Sequence, residues 1–201
     1  WARDVAIRVA GGKIAEVTVG AARGGAVQAC LLPAPVNLHS HTFQRAMAGM
    51  TEGRTAGQDS FWTWRALMYR FLDRLSPEDV EAIAAQAMVE MAEAGFAAVA
   101  EFHYLHHRAG GGSYADPAEM SYRVGLTLLP VLYEQGGVDG RALEGGQLRF
   151  GSNLSGFAQL LESAAKGVSG LTDGVLGVAP HSLRAVRRDS FLPLSQMVSG
   201  G

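Results

Sequence analysis

Over the first twenty positions apolar and polar residues alternate in the manner of short strands. Val5-Ala6-Ile7-Arg8-Val9 and Lys13-Ile14-Ala15-Glu16-Val17-Thr18-Val19 are joined by Gly11-Gly12, a pattern that predicts a hairpin. The apolar run Leu31 to Leu38 then leads into His39-Ser40-His41 and predicts a further strand. The period changes after it. Phe61 to Leu72 has the length and spacing of a helix, and residues 77–94 carry a fuller helical signature. There Ser76 can cap, Pro77 suits the first helical position, and Asp79 completes a capping box. Val80, Ile83, Ala84, Ala87, Met88 and Met91 form an apolar stripe that stops before Gly95. Continuously apolar segments predict buried strands at Phe96–Phe102, Leu126–Tyr133 and Gly174–Ala179, with helices near Pro117–Val124 and Leu154–Lys166 between them. Apolar strands separated by helices are the pattern of parallel βα units, so the body is expected to be α/β.

In parallel α/β folds the loops leaving the C-terminal strand ends build the active site. Four consecutive strands end here in chemically capable side chains: His39 and His41, then Glu101 to Tyr104, then Tyr133-Glu134, then His181 to Arg184. Residues i and i+2 of a strand share a face, so both imidazoles of His39 and His41 can reach one cation. Neutral imidazoles suit zinc and other borderline metals, yet a catalytic zinc takes three protein ligands plus water, so the pair is half a site.

Composition narrows the partners. With 48% hydrophobic and 18% charged residues among 201, the chain can bury a core. A net charge of −2 and scattered arginines give no field for nucleic acid. Cys30 is the single cysteine, which rules out an internal disulfide and favours a reducing, cytoplasmic setting. No apolar run approaches the roughly 18 residues of a membrane span, and no signal-peptide pattern opens the sequence.

The blocks Leu38 to Gly49, Asp59 to Arg65, Ala100 to His107 and Ala179 to Arg184 together resemble the formimidoylglutamate deiminase family of the metal-dependent amidohydrolase superfamily. The resemblance implies a (β/α)8 TIM-type barrel, with about its first half in residues 31–186. It also implies a small N-terminal β domain to which residues 1–30 contribute, and it leaves 187–201 as an unassigned tail. It further implies one zinc ion held partly by His39 and His41, which acidifies a water for attack on the formimino carbon, with ammonia leaving. Gln44, Arg65, Tyr104, His181 and Arg184 are the implied substrate contacts, the arginines for the carboxylates of an acidic small molecule. A homodimer is expected.

Plainer readings stand beside these. Arg65 could stack on Trp62 or Trp64, Tyr104 could be a half-buried core tyrosine, and His181 a loop histidine with local partners. Glu101 is either a buried structural carboxylate or a group that orients a ligand. His103, His106 and His107, followed by Arg108-Ala109-Gly110-Gly111-Gly112, read as solvated surface outside the metal site. A complete barrel needs about 250 residues, so room remains here for about four βα units. No histidine follows His181, and Asp189 is the one candidate remnant of a late aspartate ligand. The catalytic acid-base group is therefore expected outside these residues. The short interval before Gly125 suggests a discontinuity at Val124-Gly125. The family reading is an enzyme acting on N-formimino-L-glutamate, or on another amidine or cyclic amide. The rival is a non-catalytic half-barrel that associates through open sheet edges.

Overall fold

The computed structural model describes residues 1–53, 57, 60–122, 127–172 and 174–197. Asp59 and the Val124-Gly125 junction lie outside the described residues. The chain divides into two compact units, Trp1–Pro33 and Ala34–Gly201.

The first unit is the expected hairpin. β1 (Val5–Ala10) pairs antiparallel with β2 (Lys13–Val19), bringing Val5 opposite Val19, Ile7 opposite Val17, and Val9 opposite Ile14. Gly11 and Gly12 have φ of 58° and 74°, the two successive positive values that a tight two-residue hairpin turn demands.

The second unit carries a parallel sheet of order β3-β4-β5-β6, built from β3 (Val36–Ser40), β4 (Ala98–His103), β5 (Thr127–Leu132) and β6 (Val175–Leu176). A further short strand, β7 (Ala179–Pro180), also pairs with β5. The single strand expected over 174–179 is thus split. Both pieces keep one register along β5, Thr127 facing Val175 and Val131 facing Ala179, and Gly177 N donates to Leu128 O between them.

α1 (Phe61–Leu72) and α2 (Pro77–Glu93) lie between β3 and β4 in sequence. Ser76 and Asp79 form the expected capping box on α2, and its end is a Schellman turn. Phe96 N donates to Met91 O and Gly95 N to Ala92 O, with Gly95 at φ 89°. The helix expected near 117–124 is described only as the single turn α3 (Glu119–Tyr122). α4 (Leu154–Val168) buries Phe157, Leu160, Leu161, Ala164 and Val168, a spacing that keeps one stripe on the sheet. The stretch after Val186 forms a 3-10 turn at Arg188–Ser190 and α5 (Phe191–Gln196), whose Leu194 packs with Phe157 and Leu160. No helix among the described residues is long and apolar enough to cross a membrane.

Candidate active site

The site begins at a defect in β3. Val36 and Asn37 pair with Ala98 and Val99, but Ser40 pairs with Glu101, so the stretch Leu38-His39 holds one residue more than its partner. Such a bulge re-aims side chains at a strand end. Asn37 stabilises it: its Oδ1 accepts from His39 N two residues on, at 3.1 Å, while its Nδ2 contacts Met91 Sδ on α2. β3 ends at Ser40, and His41 is already the N-cap of a 3-10 turn over Thr42–Met47. The shared face inferred from strand periodicity therefore arises differently, from the bulge and the chain reversal after Ser40.

The outcome is nevertheless convergence. His39 Nε2 and His41 Nε2 lie 2.9 Å apart, with the rings edge to face. His41 Nδ1 lies 2.9 Å from Phe102 O, and because a carbonyl only accepts, Nδ1 carries the proton and Nε2 the lone pair. This is the arrangement in which metal-ligating histidines are held. Burial lowers the pKa of His41, opposed by the Phe102 carbonyl and reinforced by the nearby His39, so the ring is neutral at pH 7. Two nitrogens on a tetrahedral zinc stand about 3.3 Å apart, within a small ring rotation of the observed separation. The pair thus fits a metal, while among the described residues no group of three His, Cys, Asp or Glu could hold one.

The implied substrate residues gather around this pair. Tyr104 is buried and packs edge to face against His41 at 5.1 Å, Phe150 at 4.8 Å and His181 at 5.6 Å. Gln44 Nε2 donates to the Tyr104 hydroxyl at 3.0 Å, and burial pushes that phenol's pKa upward. His181 leans on Tyr133 at 4.5 Å. Its pKa is pulled down to about 4, first by burial and then by the charges of Arg184, His41 and Arg65. Both arginines therefore lie within electrostatic reach of one ring. Arg184 Nε is buried with no hydrogen-bond partner among the described residues.

Arg65 does stack, but on Trp62 at 5.6 Å and Tyr69 at 4.9 Å, and its Nε donates to the Tyr69 hydroxyl at 2.6 Å. Tyr69 sits one helical turn on, so its i+4 spacing was the sequence signal for this contact. The same guanidinium lines an open cleft of about 370 Å³ with Trp62, Tyr69, Arg141 and Gln147.

Two expectations are corrected. His103 and His106 are not surface groups: they are 0% and 1% exposed, with rings 5.6 Å apart. Their Nε2 atoms lie 2.8 Å from Leu105 O and 3.1 Å from Val131 O, while both Nδ1 atoms are buried without partners among the described residues. His107 Nε2 reaches Gly151 O at 2.6 Å. The loop folds inward because backbone carbonyls and apolar neighbours meet these rings, which sequence spacing does not reveal. Asp189 lies exposed in the 3-10 turn after Arg187. The most consequential residue that the sequence did not mark is Arg149, buried at 1% exposure. It donates from Nε to His107 O, from Nη1 to Leu72 O and from Nη2 to Leu75 O.

The buried titratable groups set an acid response. Burial pulls His103 down to about 4 and His106 to about 3, so the folded state binds fewer protons than the unfolded state below about pH 6.5. Burial raises Glu101 to about 7, so between pH 7 and 4.5 the folded state binds one proton more and offsets one histidine. His181, held down to about 4, adds a third such histidine, so stability should fall by about 3 kcal/mol per pH unit from pH 6.5 to 4.5, where about two net protons are involved. Below about pH 4 the slope should flatten as His103 and His181 take up protons in the folded state. Urea titrations at half-unit pH steps test this, and a flat profile between pH 6.5 and 4 would refute the buried neutral histidines.

A parallel α/β sheet with paired histidines, a buried tyrosine and Arg184 at its strand ends, and with Arg65 reaching in from α1, fits the class of the amidohydrolases. An amidohydrolase from Brucella melitensis superposes with a TM-score of 0.88 at 42% identity, covering 99% of this chain and 47% of that one. More distantly, at 16% identity and a TM-score of 0.61, atrazine chlorohydrolase from Arthrobacter aurescens, complexed with zinc and atraton, shares the fold over 84% of this chain. Within that class, formimidoylglutamate deiminase of Pseudomonas aeruginosa is 48% identical over 198 residues, 92% of this chain and 44% of that protein. The chain is a relative of the formimidoylglutamate deiminases. It spans about half the length of the relatives it matches. No family model matches it.

Proposed function

We propose that the protein is a zinc-dependent hydrolase that converts N-formimino-L-glutamate to N-formyl-L-glutamate and ammonia, in histidine degradation. In this reading the parallel sheet is part of a (β/α)8 barrel and the hairpin part of a small β domain. The observation that carries the proposal is the convergence of His39 Nε2 and His41 Nε2, in a chain 48% identical to formimidoylglutamate deiminase. His39 and His41, with further ligands, would hold a zinc ion, which when bound would supply an acidified water and polarise the formimino group.

The chain's own residues do the rest. The Phe102 carbonyl holds the proton on His41 Nδ1, which keeps the Nε2 lone pair directed at the metal. Gln44 and Tyr104 form a hydrogen-bonded wall beside it, with the hydroxyl proton of Tyr104 left to donate to a substrate nitrogen or oxygen. Arg184 brings a buried Nε–H with no partner among the described residues, a position an anionic group would satisfy. Arg65, pre-oriented by Tyr69 and Trp62, supplies the second cation for a dicarboxylate. Neutral His181 packs against Tyr133 and Tyr104 between them.

The test is ammonia release from N-formimino-L-glutamate by the zinc-loaded protein, run beside N-formimino-glycine and a cyclic amide. Turnover confined to the dicarboxylate supports the proposal. Equal turnover of all three would refute the assignment of Arg65 and Arg184, and turnover of the cyclic amide alone would move the protein to another branch of the amidohydrolases. Arg184→Met is expected to raise KM for N-formimino-L-glutamate by about 100-fold, the loss of one charged hydrogen bond of about 3 kcal/mol. An unchanged KM would remove Arg184 from the substrate site.

A further inference from the structure

Glu101 is 1% exposed and sits on β4 opposite Ser40. Its Oε1 accepts two hydrogen bonds from one residue, from Thr42 N at 2.8 Å and from Thr42 Oγ1 at 3.0 Å. Thr42 directly follows His41, whose Nδ1 is held by the carbonyl of Phe102, the residue directly after Glu101. Two adjacent residues of β4 therefore grip two adjacent residues of the turn, one through the His41 ring and one through the backbone behind it. β3 has already ended at Ser40, so no ladder bonds of β3 fix this turn.

Packing alone does not account for a carboxylate here. The second oxygen, Oε2, is buried and meets no hydrogen-bond geometry among the described residues, although the Ser40 side chain is close enough to lower the carboxyl's pKa. A buried polar atom left unmatched costs about 1 to 3 kcal/mol, and groups of this kind persist where they serve a site. The acceptor that is used meets two donors at a single point, which an apolar side chain cannot do.

We propose that Glu101 is a positioning residue for the metal centre, clamping Thr42 so that His41 Nε2 stays aimed at the point it shares with His39 Nε2. This rests on the reading that His41 is a metal ligand. Glu101 touches neither metal nor substrate; it acts through the backbone of the turn. Replacement of a group that orients a ligand from behind costs about 10- to 100-fold in metal affinity.

The experiment measures zinc affinity by chelator competition, apo-protein melting temperature, and kcat at saturating zinc, for Glu101→Met, Glu101→Gln, Thr42→Val and His41→Ala. Glu101→Met should weaken zinc binding 10- to 100-fold, with kcat recovered to within about three-fold by excess zinc. Glu101→Gln, which keeps the acceptor for both Thr42 donors, should bind zinc within about three-fold of the parent. Should Glu101→Met fail to fold, Thr42→Val decides, since it removes one of the two donors in an isosteric side chain and should weaken zinc several-fold. A folded Glu101→Met protein, or Thr42→Val in its place, that binds zinc as the parent does overturns the proposal. His41→Ala is the separate control: zinc affinity unchanged there would overturn the ligand reading itself, and the positioning role with it.

Discussion

On the proposed function, alanine at His41 should reduce turnover of N-formimino-L-glutamate at least about 1,000-fold, equivalent to about 4 kcal/mol of barrier, and abolish stoichiometric zinc. His39→Ala should match it in activity. The two differ in stability. His41 is half-buried and bonded to Phe102 O, whereas His39 is exposed and stacked on Phe102 at 4.8 Å. Loss of the His41 ring should therefore cost about 1 kcal/mol of folding free energy, and loss of the His39 ring less. Metal content by elemental analysis, paired with ammonia release, reads the first effect, and denaturant midpoints read the second. Either alanine variant retaining both zinc and turnover would exclude its histidine from the centre.

The largest effect on folding should come from Arg149→Met. The guanidinium caps carbonyls at the end of α1 and in the turn after it, Leu72 O and Leu75 O, and ties them to His107 O in the loop beyond β4. Methionine fills a similar volume and removes the donor from Leu75 O and His107 O, while Leu72 O keeps the bond from Leu75 N. At about 1 to 1.5 kcal/mol for each of the two carbonyls left without it, the loss is about 2 to 3 kcal/mol, or roughly 8 °C in melting temperature for a chain of this size. Arg149→Lys keeps the charge but cannot span three carbonyls, so it should fall between. A melting temperature within 2 °C of the parent for Arg149→Met would show that water replaces the guanidinium without penalty. Burial lowers the pKa of Arg149, opposed by the nearby Tyr114 and Asp73.

The predicted elements that held best were those whose cause is local. Ser76, Pro77 and Asp79 specify the start of α2 through backbone groups within one turn, and Gly95 ends it because a positive φ is needed there. The Gly11-Gly12 hairpin and the amphipathic stripe of α4 are of the same kind. Where the outcome depended on partners distant in sequence, local pattern pointed elsewhere. His103 and His106 look like polar loop residues until Leu105 O and Val131 O are placed against their rings. The strand over 174–179 breaks around Gly177 although its register along β5 continues.

The site shows the same division. From the sequence, residue type and strand order marked His39 and His41 as able to ligate a borderline metal, while Gln44, Arg65, Tyr104, His181 and Arg184 were expected as substrate contacts from the family resemblance. The tertiary structure alone decided how they converge. A bulge supported by Asn37, a turn held by Glu101, and a carbonyl of Phe102 on a neighbouring strand bring the two imidazole nitrogens to 2.9 Å. These are contacts between residues as many as 61 positions apart, and no local period in a chain encodes a distance of that kind.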